Sequence, residues 1–153
     1  MLFKSSRIFS SQFKFPFQCV IFDVDTYCIK DFSNYGITLP EQLGNAVVKR
    51  QAEYLAGRLY AQAVLRTYSM ERFQIVNGED RAPIWPKNIT ASISHIKGIA
   101  VSIATNDPQV KGVGIDIEYI MNKKTRVRVC KISSLILMKL IFMLNSPYTK
   151  LLR

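Results

Sequence analysis

The sequence predicts an α+β fold, and three stretches carry that prediction. Within residues 41–68, Val48, Ala52, Leu55, Leu59 and Ala63 recur at spacings of three and four, the period of a helix with one apolar face. Lys49, Arg50, Glu53 and Arg58 fall elsewhere on that helix's surface. "ASISH" (91–95) runs through "IKG" into "IAVSIAT" (99–105), where Ile99, Val101 and Ile103 alternate with Ala100, Ser102 and Ala104 as in a strand. "GVGIDIEYI" (112–120) is a further strand after the turn signal "NDPQ". One long helix with antiparallel hairpin elements is the α+β pattern.

The remaining elements follow in chain order. "QCVIFDV" (18–24) is β-branched and aromatic enough for a strand. Residues 25–40 are polar and turn-prone, and Pro40 suits the first turn of the helix. Gly57 weakens that helix by up to about 1 kcal/mol relative to Ala, which marks a place of close packing. "NGEDRAPIWPKNIT" (77–90) is loop by its Gly, Asp, Asn and Pro content.

Composition narrows the class. The 153 residues suffice for one domain with a core, and 48% hydrophobic against 21% charged residues excludes a disordered chain. Cys19, Cys28 and Cys130 form no CxxC pair and are odd in number, which argues against a disulfide framework and for a reduced, cytoplasmic setting. No stretch reaches the roughly 20 apolar residues of a transmembrane helix. The N-terminal "MLFKSSRIFSSQFKFPF" lacks the apolar core of a secretory signal. The net charge of +10 would suit nucleic acid, but residues 119–153 hold eight Lys or Arg and no acid, so most of the excess sits in one tail. Beyond Tyr119, only Phe142 and Tyr148 offer stacking surfaces there, which disfavours a nucleic-acid partner.

Asp116 and Glu118 raise the chemical question. On a strand, side chains two apart share a face at about 6.6–6.8 Å, so these acids face one way while Val113, Ile115 and Ile117 face the core. A solvated edge strand explains them, and so does a hard cation such as Mg²⁺ held between two carboxylates. Gly114 removes bulk beside them. His95, the chain's one histidine, is open to a packing role or a catalytic one. Ser94 and His95 end a strand where anions can bind, and Arg81 in the preceding loop is either solvated or a bidentate phosphate donor.

"KRQAEYLAGRLYAQAVL", "RAPIWP", "ASISH" and "GVGIDIEYI", in this order and at these intervals, resemble the 4′-phosphopantetheinyl transferases of the enterobactin synthetase component D type over about residues 18–121. The resemblance implies the first lobe and the start of the second lobe of a pseudo-dimer: residues 1–108 as the N-terminal lobe, 109–122 as the metal-bearing strand and 123–153 as an atypical basic tail. It implies Mg²⁺-dependent transfer of 4′-phosphopantetheine from coenzyme A to a serine of an acyl or peptidyl carrier protein, as in siderophore or other nonribosomal peptide synthesis. By the same resemblance Asp116 and Glu118 hold the metal, and His95 and Glu118 are catalytic. Arg50, Arg58, Arg81, Ser94 and His95 contact the coenzyme.

The family's third motif, a Lys-Glu pair whose glutamate completes the metal site or acts as base, has no counterpart, because the chain contains no Lys-Glu dipeptide. The acid-free tail, with its run "ISSLILMKLIFML", matches neither the family nor an amphipathic helix. The tail sets a further expectation: a truncated or frameshifted homologue, catalytically impaired, that at most binds coenzyme A or a carrier protein. Such a chain would leave apolar surface open for self-association.

Overall fold

A computed structural model describes Met1 and residues 3–7, 15–70, 72–119 and 136–144. Among the described residues there are six strands: β1 (Phe3–Arg7), β2 (Phe17–Phe22), β3 (Thr90–Ile96), β4 (Ile99–Thr105), β5 (Val110–Tyr119) and β6 (Ile136–Leu144). The helices are the one-turn α1 (Asp31–Asn34) and the 18-residue α2 (Val48–Leu65). The first four strands form an antiparallel sheet in the order β1-β2-β4-β3, and β5 pairs with β6 in a second sheet. The mixed helix and strand content agrees with the α+β expectation.

β4 explains the layering. All seven of its residues are buried. Ile99, Val101 and Ile103 pack with Phe15, Phe17, Val110, Ile115 and Ile117, the side on which β5 lies. Ala100 packs with Ala52 and Ala56 of α2, and Ala104 with Ala61, Val64 and Leu65. Large residues therefore face β5 and small ones face the helix, which lets α2 approach the sheet closely. Each of the large aliphatic side chains contributes roughly 1.5–3 kcal/mol on full burial.

The alternation on β5 is as expected at its centre. Ile115 and Ile117 are buried, Val113 is packed against the same cluster, and Asp116 is exposed. β3 and β4 meet at Ile96 and Ile99 across the two-residue turn Lys97-Gly98. Gly98 has φ +77°, and a Cβ there would stand 3.2 Å from the Phe22 carbonyl oxygen, so the turn requires glycine.

Two expectations need correction. The helix does not begin at Pro40: a 3-10 turn spans Glu41–Leu43, and α2 starts at Val48. The side chain of Gln51 holds that turn in place, donating to the carbonyls of Leu43 at 2.8 Å and Gly44 at 3.1 Å and accepting from the Tyr27 hydroxyl at 3.0 Å. The helix is also not half-solvated. Val48 is exposed and Leu59 and Ala63 are half-buried, whereas Glu53 and Arg58, expected on the surface, are each 7% exposed. Residues 23–46 and 73–85 cover the flanks of α2, as Phe32 and Ile37 do against Tyr54 and Leu55. Part of the atypical tail, 136–144, is a strand paired with β5, its register setting Lys139 opposite Asp116 and Leu137 opposite Glu118. The rest of the tail, Cys130 included, lies outside the described residues.

Gly57 lies where close packing was expected: a Cβ there would come within 3.1 Å of Ile93 Cγ2 on β3. Among the described residues no helix is long and apolar enough to cross a membrane.

Candidate functional site

A cleft of about 770 Å³ opens between the N-terminal half of α2, the end of β3 and the loop 76–83. Arg50, Glu53, Tyr54, Gly57 and Arg58 line it from the helix, and their spacing of i, i+3, i+4, i+7 and i+8 is one continuous helical face. Ile93 and His95 line it from β3, and Arg81 from the loop. Four of the residues expected to contact a coenzyme therefore meet in one place: Arg50, Arg58, Arg81 and His95.

The two buried charges in the wall are held by specific partners. The Arg58 guanidinium lies 4.5 Å from the centre of the Tyr54 ring, and its Nη2 donates to Asn77 Oδ1. Its Nε is buried with no hydrogen-bond partner among the described residues. The Glu53 carboxylate lies 3.7 Å from Lys49 Nζ and 3.7 Å from His95 Nδ1. Arg50 Nη1 donates to His95 Nε2 at 3.3 Å. A guanidinium has no acceptor, so a hydrogen bond between them requires an unprotonated Nε2, which puts the proton of a neutral ring on Nδ1, facing Glu53. Burial pushes the His95 pKa below 6.5; Glu53 opposes this, while Arg50, Lys49 and Arg58 reinforce it.

Arg81 sits at the tip of a tight loop. Ile84 N donates to Val76 O at 2.9 Å, Gly78 N to Ala82 O at 2.8 Å and Arg81 N to Gly78 O at 3.0 Å. Asp80 Oδ1 accepts from Ala82 N at 2.9 Å. These bonds hold Arg81 at φ +65°, an uncommon conformation for a residue with a side chain. They thereby set a guanidinium at the cleft's edge.

Ser94 and Asp116 belong elsewhere. Alternation along β3 sends Ile93 and His95 towards α2 and Ser92 and Ser94 towards β5. Ser94 Oγ donates to Asp116 Oδ1 at 3.0 Å, Ile115 N donates to Ser92 Oγ at 3.2 Å, and Asp116 Oδ1 also accepts from Ile117 N at 2.9 Å. Neighbouring in sequence, Ser94 and His95 thus serve opposite faces of the sheet. Glu118 lies on β5 two residues beyond Asp116, and its side chain is outside the described residues.

No three His, Cys, Asp or Glu side chains cluster for a metal among the described residues. The donor chemistry at Asp116 nonetheless suits Mg²⁺. It is an exposed carboxylate whose two hydrogen bonds among the described residues are both on Oδ1, and Mg²⁺ keeps several waters and takes only one or two carboxylates.

A larger cavity, about 990 Å³, lies at the opposite end of β3, lined by Thr67, Ser69, Lys87, Asn106 and Lys111 among others. It contains none of the expected site residues, and size alone does not make it the site. The residue that sequence reasoning missed is Glu53. Its signal was available: charged and small residues, rather than apolar ones, repeat at helical spacing from Arg50 to Arg58.

Comparison with known proteins gives the family. Residues 39–105 match the model of the 4′-phosphopantetheinyl transferase N-terminal domain. The chain is 37% identical over 108 residues to enterobactin synthase component D of Escherichia coli (strain K12), an alignment covering 69% of this chain and 48% of that protein. Enterobactin synthase component D of Salmonella typhi is 32% identical over 119 residues, 76% of this chain and 49% of the relative. The 4′-phosphopantetheinyl transferase Npt of Nocardia iowensis is 28% identical over 76 residues, 50% of this chain and 34% of its own length. The chain thus spans about half the length of the curated relatives it matches in the enterobactin group. It belongs to the 4′-phosphopantetheinyl transferase family, of the enterobactin synthase component D type.

Proposed function

We propose that the cleft binds the phosphates of coenzyme A, and that the chain serves the transfer of 4′-phosphopantetheine to a serine of an acyl or peptidyl carrier protein. The observation that carries this reading is the convergence of Arg50, Arg58, Arg81 and His95 on one cleft, with Arg58 Nε buried and unpaired among the described residues. Guanidinium groups match phosphate oxygens in pairs, and a partly buried site strengthens each charge-assisted bond.

Within this reading the two faces of β3 divide the work. On the α2 side, Arg50, Arg81 and His95 grip phosphate while Tyr54 and Asn77 keep Arg58 oriented. On the β5 side, Ser94 steadies Asp116, which with Glu118 would hold Mg²⁺. Bound there, the metal would neutralise charge accumulating on the phosphoryl oxygens as the pyrophosphate bond of the coenzyme breaks. Residues 109–119 belong on this view to the opening strand of a second lobe, and the setting is cytoplasmic. Basic residues at the cleft rim, Lys49 and Arg50, would speed encounter with an acidic carrier.

A second reading keeps the binding and removes the turnover. It is favoured by the composition of residues 119–153, whose eight Lys or Arg come with no Asp or Glu, so that stretch itself offers no carboxylate to hold a metal or accept the serine proton. The same reading expects self-association through apolar surface, so a monodisperse monomer in sedimentation would count against it.

One experiment separates the two. The purified chain is incubated with coenzyme A, Mg²⁺ and an apo carrier protein, and the carrier's mass is followed alongside coenzyme binding by calorimetry. Mass gain by one phosphopantetheine supports transfer, and binding without mass gain supports the second reading. Absence of both sinks the proposal.

A further inference from the structure

Glu53 is a buried carboxylate facing the one histidine of the chain, and neither phosphate binding nor metal binding calls for an acid at that position. A negative charge in a cleft meant for phosphate weakens binding unless it acts through a neighbour. We propose that Glu53 is a positioning residue: it fixes the His95 ring with its proton on Nδ1, and supports the imidazolium that forms when a substrate phosphate draws Arg50 away from Nε2.

The geometry supplies the steps. In the free cleft Arg50 Nη1 donates to Nε2, which makes Nε2 an acceptor pointing at a cation. An incoming phosphate oxygen competes for Arg50 and presents an acceptor where a donor stood. Nε2 then lacks a partner unless it binds a proton, taken from solvent, and donates to that oxygen. The new positive charge on the ring is shared with Nδ1–H, 3.7 Å from the Glu53 carboxylate, close enough to be stabilised and to shorten into a hydrogen bond. The groups that oppose this charge, Arg50, Lys49 and Arg58, all lie on α2 with Glu53, and phosphate neutralises the first of them on arrival. Glu53 projects from the backbone of α2 and has Lys49 Nζ 3.7 Å away on the same helix. Phosphate binding in this cleft therefore takes up a proton, and Glu53 determines where the ring carries it.

This inference rests on the cleft being the coenzyme's phosphate site, and its test is arranged so that the two can fail separately. Because His95 is the only histidine, ¹⁵N-histidine labelling yields a single pair of ring signals. In the free wild-type chain above the ring's pKa, Nδ1 should appear protonated and Nε2 unprotonated. An Nε2-protonated ring would overturn the proposal without any ligand being added. Glu53→Gln preserves shape and removes charge, so the ring's pKa should fall further, whereas an unchanged pKa would contradict the role. Adenosine 3′,5′-bisphosphate is the probe for the bound state. With it, both ring nitrogens should become protonated in the wild type, and calorimetry in buffers of different ionisation enthalpy should register proton uptake. In Glu53→Gln the uptake should be largely lost and affinity should drop about tenfold, the scale of a charge-assisted hydrogen bond. Full uptake in the variant would refute the proposal. If the probe does not bind at all, the phosphate-site reading fails, while the free-state tautomer and the variant's pKa still decide what Glu53 does.

Discussion

The two faces of β3 differ in almost every physical respect although their side chains alternate along seven residues. The face towards α2 meets a helix so close that a methyl group on Gly57 would crowd Ile93, and it ends in a cleft walled by buried ionic groups. The face towards β5 is joined by hydroxyl contacts, Ser92 to a backbone amide and Ser94 to an exposed carboxylate. One face holds its charges through packing, where desolvation makes each partner matter. The other presents a carboxylate near water, where a cation can reach it. A short polar–apolar alternation is thereby enough to keep an anion grip and a candidate metal ligand on opposite sides of one strand.

The largest expected effect tests whether β5 belongs to the core beneath β3. Ile117 is 2% exposed among Phe17, Val101 and Ile103, so Ile117→Ala should cost about 2–5 kcal/mol in urea unfolding. Val48→Ala, at an exposed site, should stay within about 0.5 kcal/mol. Equal effects would mean that β5 is only loosely laid against the sheet. On the opposite face, Arg58→Ala should lose about 1–3 kcal/mol by stranding the Asn77 amide and uncovering Tyr54. Coenzyme affinity should fall with it.

Gly57→Ala is a narrower probe of the helix face. The added methyl gains helix propensity but meets Ile93 Cγ2 at 3.1 Å, and β-branched Ile93 has little freedom to rotate away. Crowding should prevail, with a net loss of about 1 kcal/mol; a gain in melting temperature would show that the helix has room to move. Ser94→Ala on the other face should cost less, below about 1 kcal/mol, since Asp116 is exposed and water replaces the hydroxyl.

The smallest effect is the pH dependence contributed by His95. Its pKa is lowered on folding, so between the folded value and about 6.5 the unfolded chain binds more protons. This contribution is complete above about pH 6.5 and is lost as pH falls through the folded value. Urea midpoints of the wild type should therefore decline more steeply on acidification than those of His95→Gln, and parallel profiles would contradict the assignment.

Much of this organisation is legible in the sequence, and the omissions have physical causes. Alternation identified β3, β4 and the centre of β5 because each buries one consistent residue type per face. It could not reveal that both faces of β4 are covered, since alanine reads as weakly apolar whether it meets a helix or solvent. The apolar period of α2 misled for a related reason: with neighbours on nearly every side, the informative stripe was the polar one from Arg50 to Arg58. β1 and β6 escaped notice because "FKSSR" is polar and paired only at the sheet's edge, while "ILMKLIFML" is apolar without alternation and matches a helix or a strand equally. The separation of Ser94 from His95 follows from strand geometry and was available from the start.

The central claim is that the coenzyme's phosphates bind in the cleft beside α2. Calorimetric titration of coenzyme A into Arg50→Ala and Arg81→Ala, both at exposed positions, should show affinity about tenfold weaker in each. The double variant Lys87→Ala/Lys111→Ala, which strips the cations from the larger cavity, should bind as the wild type does. Undiminished binding in the arginine variants together with a loss in the lysine pair would contradict the assignment and move the site to the other end of β3.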